Sequence, residues 1–157
     1  MSFGRIRGGL ITVATLVASV SSSVGQSKSQ THRLSYQPAV VTLEGTLVRR
    51  TFPGPPNYES IRKGDRPETA WILELGAPVC VYPDSAEPDI NPGVDGVRSV
   101  QLVFSGQVEI QEHHQLWGKE VIVKGTPYGV HTGHHHTPVL LTMESIEKAP
   151  ALAPLKN

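Results

Sequence analysis

The chain has 157 residues, with 14 basic and 14 acidic side chains, 7 histidines and a single cysteine, Cys80. A lone cysteine excludes an internal disulfide, so stability has to come from packing. A chain with no net charge lacks the basic face that phosphate neutralisation requires, which argues against a nucleic-acid partner.

Residues 1–25 read as a secretory signal peptide. Arg5 and Arg7 supply the positive start, Gly8 to Val20 an apolar stretch too short for a confident membrane span, and Ser23-Val24-Gly25 the small side chains for cleavage before Gln26. The expectation is a periplasmic or secreted protein with no membrane attachment after cleavage. About 130 residues then remain, enough for one domain with its own core. Without Arg5 and Arg7 the basic count falls from 14 to 12 against 14 acidic residues, so this portion is near −2. Cys80 lies between Val79 and Val81 and reads as a small buried hydrophobe.

Residues 26–38 are polar and without periodicity, and are expected to form a flexible leader to a domain over 39–148. Val41, Leu43, Gly45 and Leu47 alternate with Thr42, Glu44, Thr46 and Val48, the period-two signature of a first strand. A glycine inside a good strand marks a bulge or sharp bend, as a small closed barrel needs. Thr51 to Glu68 holds four prolines and two glycines and reads as a long irregular loop. Trp71, Leu73 and Leu75 share one face of a second strand, bent or broken at Pro78. Pro83 to Gly96 is a second turn-rich loop, and Val97 to Phe104 a third strand.

At Glu109 to Trp117 the period changes: Ile110, His113 or His114, and Trp117 fall at helical spacing, with Gly118 placed as a C-cap. One short helix is expected. Val121, Val123 and Gly125 alternate with Ile122, Lys124 and Thr126 in a fourth strand, and Pro138 opens a fifth that runs to Ile146. Between them His131-Thr132-Gly133-His134-His135-His136-Thr137 reads as a loop. Residues 149–157 form a proline-broken tail. Val41 to Val48 and Val121 to Tyr128 carry Gly-Thr at the same offset, which is too short for a repeat and reads as two strands meeting the same curvature problem.

Strand, long loop, strand, strand, short helix, strand, strand is the order of an all-β, OB-like five-stranded barrel; an open β-sandwich or β-roll is the alternative. Trp117-Gly118-Lys119-Glu120-Val121-Ile122-Val123-Lys124-Gly125-Thr126, followed by His131-Thr132-Gly133-His134-His135-His136-Thr137-Pro138-Val139-Leu140-Leu141, resembles the bacterial domain of unknown function 4431 over the last third of the chain. That resemblance implies an exported bacterial protein and carries no activity, catalytic residue or cofactor with it.

In an OB barrel the first-to-second and fourth-to-fifth loops flank the binding face. This would bring the ligand-loop candidates Tyr58, Arg62, Asp65 and Arg66 beside His131, His134, His135 and His136. A fourth strand of about ten residues at roughly 3.3 Å each would hold His113 and His114 some 30 Å away. Imidazoles suit zinc, copper and nickel, and a tetrahedral site wants about four donors. In an extended segment His134 and His136 point to one side and His135 to the other. Two could hold one ion, with His131 folding across the turn and Asp65 or Glu68 completing the set. The plainer reading has the imidazoles locking the hairpin through hydrogen bonds. No Gly-x-Ser-x-Gly elbow or catalytic-cysteine context points to a hydrolase. Trp71, Tyr82, Phe104 and Tyr128 could stack a ligand on the barrel face or serve as core. The expected partner is a protein, a glycan, or a metal ion such as zinc or copper.

Overall fold

The computed structural model describes Met1, residues 33–104 and residues 110–150. The signal segment, most of the leader and residues 151–157 of the tail lie outside them. Six strands follow in order: β1 (Arg33–Leu34), β2 (Val41–Pro53), β3 (Pro67–Val81), β4 (Val94–Phe104), β5 (Glu120–Gly129) and β6 (Val139–Lys148). Strand β2 pairs antiparallel with β3 and β5, β5 antiparallel with β6, β6 parallel with β4, and β4 antiparallel with β3. Following these pairings around returns to β3, so β2–β6 close a five-stranded mixed barrel of OB type.

Alternation along each strand fills the barrel. Leu43, Leu47, Trp71, Leu73, Val100, Leu102, Val121, Val123, Leu141 and Met143 all belong to one buried cluster. A side chain such as Leu73, with no exposed surface, is worth about 1.5–3 kcal/mol over its exposed state. Ile72, on the opposite face of β3 from Leu73, is buried as well.

The glycine echo has a geometric cause. Gly45 lies where β2 is shared, facing Leu75 on β3 and Val121 on β5. A Cβ there would sit 2.2 Å from the Glu74 carbonyl oxygen. Gly125 lies at the register shift between β5 and β6, and its Cβ would sit 2.3 Å from the Thr142 carbonyl oxygen. At both places the strands coil so tightly that backbone meets backbone, which only glycine permits.

Several boundaries depart from expectation. The proline-rich loop is shorter than Thr51 to Glu68, because β2 runs to Pro53 and pairs residue for residue with Pro67 at the start of β3. Strand β3 passes through Pro78 as one strand, with the predicted irregularity absorbed as a register shift against β4 between Glu74 and Val79. The expected short helix is present as a 3-10 segment, Ile110–Leu116. The end of the leader is built into the domain: β1 runs parallel to Cys80–Val81, and Leu34 and Tyr36 are buried. The Tyr36 hydroxyl donates to the Pro92 carbonyl at 2.9 Å, and burial raises its pKa. Trp117 packs edge-on to Trp71 and lies beneath the Arg49 guanidinium at 4.3 Å.

Candidate functional site: the histidine loop and its two flanks

The loop between β5 and β6 is held from below by Gln101 on β4. This buried amide accepts from the His136 backbone N–H at 2.7 Å and donates to the His134 carbonyl at 2.9 Å. Beside it, the buried Thr137 hydroxyl accepts from Gln101 N–H at 2.8 Å and donates to the Val139 carbonyl at 2.7 Å. These bonds fix the backbone at 134–137, so the alternation of side chains sends neighbouring imidazoles to opposite flanks.

On the first flank, His134 and His136 meet one carboxylate. Glu68, at the start of β3, lies 2.7 Å from His134 Nδ1 and 3.4 Å from His136 Nε2. His136 also stacks on Phe52, with ring centroids 4.2 Å apart and planes within 7°. The Tyr58 hydroxyl lies 2.9 Å from His134 Nε2, and the two rings meet edge to face. Tyr58 has φ of +61°, a left-handed conformation that a non-glycine residue adopts only when its surroundings impose it.

Those surroundings centre on Asp65. Its carboxylate is buried and accepts from the backbone N–H groups of Asn57, Glu59 and Ser60 and from the Asn57 amide, at 2.7–3.1 Å. The Ser60 and Asn57 bonds lead in lowering its pKa. Asp65 thus shapes the loop from within, and its oxygens are taken. Arg62 and Arg66 are exposed and enter no ion pair among the described residues.

On the second flank, His131 and His135 pack edge to face at 4.5 Å, and both lie against Tyr128, at 5.7 and 5.6 Å. The His131 backbone N–H donates to His135 Nδ1 at 3.2 Å. His135 is therefore an acceptor at Nδ1. Its pKa is lowered, first by burial and then by the charges of His131, His134 and His136. Burial raises the pKa of Tyr128. Gly129 N–H donates to Asn91 Oδ1 at 2.9 Å, and a Cβ on Gly129 would sit 2.0 Å from the Ile90 carbonyl oxygen, so the loop after β3 is pressed directly onto this strand end.

The four expected metal ligands are thus divided two and two, with His131 turned away from His134 and His136. Among the described residues no group of three or more His, Cys, Asp or Glu is disposed to hold a metal ion. Tyr58 does meet the histidine loop; Asp65 supports it from one shell further out. His113 and His114 sit on the 3-10 segment, where His114 contacts Trp117. Of the aromatics, Trp71 is core, Phe104 packs edge-on to it, Tyr82 is exposed beside Arg33, and Tyr128 lines the second flank. Gln101, Phe52 and Asn91 are participants that the sequence pattern does not single out. Gln101 carries a retrospective signal, as a polar residue between Val100 and Leu102 in an apolar strand.

No curated protein and no solved structure matches the chain. Residues 99–147, which carry Gln101, β5, all four loop histidines and most of β6, match the family model described as a domain of unknown function (DUF4431).

Proposed function

We propose that the chain is an exported, non-catalytic binding module of the bacterial envelope, periplasmic or secreted, whose ligand end is built around the histidine loop. In this reading the four imidazoles brace the loop. The observation that carries it is their division: His134 and His136 are committed to Glu68, Tyr58 and Phe52, while His131 and His135 are committed to each other and to Tyr128. Hydrogen-bonded and stacked imidazoles of this kind set the shape of a loop and leave its outer surface for a protein or glycan. Export rests on the charged and apolar start of the chain, Arg5 to Val20.

The test is retention on isolated envelope fractions, with and without chelator. Retention that chelator leaves unchanged is the expected result. Retention abolished by chelator and restored by zinc would count against braces and for a metal-dependent module.

One observation favours that second reading. Glu68 bridges two imidazoles, and a zinc or copper ion placed there would exchange both hydrogen bonds for coordinate bonds. As they stand the three side chains are not disposed around one ion, so binding would have to draw Glu68, His134 and His136 together, with His131 and His135 facing the other flank.

A further inference from the structure

Beside the second flank, three adjoining hollows of about 220, 560 and 270 Å³ run from Tyr82 to His131, and Gln37 lines all three. The first two also share Asp84. From this continuity we infer a groove for an uncharged oligosaccharide, with Gln37 at its centre. The inference rests on the binding-module reading above and names its ligand class.

The walls are preformed. Gln37 N–H donates to the Pro127 carbonyl at 3.0 Å, and Tyr82 N–H donates to the Leu34 carbonyl at 2.9 Å. Asp84 N–H donates to the Asn91 carbonyl at 2.9 Å, and Ile90 and Asn91 both donate to the Glu87 carbonyl. Such ties spare a ligand the cost of ordering the loop after β3.

The chemistry of the lining selects the ligand. Tyr82 stands at one end, half exposed with Arg33 over its ring, and Tyr128 at the other. An aromatic ring at each end suits the apolar C–H face of a sugar, and the polar groups between them suit its hydroxyls. Those groups are the Gln37 amide, the Asp84 and Glu87 carboxylates, and Asn91. Asn91 is wholly buried, its Oδ1 is held by Gly129 N–H, and its Nδ2 has no partner among the described residues. No lysine or arginine lines the three hollows, while two carboxylates do, and Arg33 at the Tyr82 end is paired with Asp95 at 3.9 Å, so an anionic polymer would meet repulsion along the groove. Three hollows that meet at Gln37 offer more room than a single sugar unit fills.

The test is calorimetric titration of the purified chain with the linear tetramer of N-acetylglucosamine as an uncharged probe. Its monomer, its fully deacetylated tetramer and an oligogalacturonate serve as comparisons. The expected result is saturable binding of the uncharged tetramer, at least about tenfold tighter than the monomer, with no binding of the anionic oligomer. Gln37→Ala and Tyr128→Ala, each verified as folded by circular dichroism, should each weaken it about tenfold or more, while Lys148→Ala, an exposed residue at the end of β6 that lines none of the hollows, leaves it unchanged. Absence of saccharide binding, binding of the cationic tetramer alone, or binding indifferent to Gln37 and Tyr128 would each overturn the groove. Envelope retention that persists in Gln37→Ala and Tyr128→Ala, and that the tetramer does not compete away, would overturn the groove while leaving the binding-module reading standing. Loss of envelope retention altogether would remove both.

Discussion

The two flanks of the histidine loop are made from the same residue type and end in opposite states. On the first, a carboxylate, a phenol and a phenyl ring take up His134 and His136, while the His134 side chain stays more than half exposed. On the second, His131 and His135 meet each other, Tyr128 and, through His131 Nδ1, the Gly129 carbonyl at 3.2 Å, and the surface beside them is hollow. The difference lies in what the neighbouring loops supply. The loop after β2 presents Tyr58, and the start of β3 beyond it presents Glu68. The loop after β3 presents Ile90 and Asn91, which hold the strand end at Gly129 and leave the imidazoles without a charged partner. A histidine cluster is therefore no unit of function by itself; its environment assigns each ring.

The largest effect should come from the group that serves both flanks. Gln101→Leu strands the His136 N–H and the His134 carbonyl in a partly buried setting, and about 1–3 kcal/mol of unfolding free energy should be lost in urea titrations. Faster hydrogen exchange across 131–137 should accompany it. If stability holds, the two flanks are not joined through this amide.

Glu68→Ala should cost less, about 1 kcal/mol, since its carboxylate is a quarter exposed and its closer imidazole, His134, is more than half exposed. Its signature is selective: side-chain resonances of Tyr58, His134 and His136 should move while those of His131 and His135 stay in place. Equal movement on both sides would erase the comparison.

Smaller still are two pH windows, one for each neighbourhood. His135 has a pKa below the ordinary 6.5, so the unfolded chain takes up its proton first as pH falls. Its contribution is complete above about pH 6.5, declines below it, and levels off beneath the lowered folded value. Asp65 has a pKa below the ordinary 3.8, so its contribution is complete above that value and is lost as pH falls through the lower folded one. His135→Asn should flatten the upper window and Asp65→Asn the lower, read as unfolding midpoint against pH. A stability curve unchanged in either variant would refute that assignment.

Much of the barrel was legible because its strands alternate and its bends need glycine. Val41 to Leu47 and Val121 to Gly125 announced two strands and their curvature, and strand order with the loop lengths pointed to the OB arrangement. The alternation at 134–136 also foretold which imidazoles share a side. Local pattern is silent, however, on what waits at the far end of a side chain. Nothing near residue 52 says that Phe52 will lie flat on His136, 84 positions on. Nor does Asn91, inside a turn-rich loop, reveal that its amide will be buried against Gly129. Such pairings arise only when closure of the barrel brings distant loops together. The same limit explains Tyr36: a polar stretch hid a residue that docks on Pro92, because one buried phenol leaves no periodicity to detect.

The role proposed for the four imidazoles is to brace the loop. Its most direct test is calorimetric titration of zinc and copper into the tag-free chain, beside a His134→Ala/His136→Ala variant. The predicted result is no saturable site in either protein and a lowered unfolding midpoint in the variant. Micromolar or tighter binding in the parent, lost in the variant, would contradict it and make Glu68, His134 and His136 the heart of a metal centre.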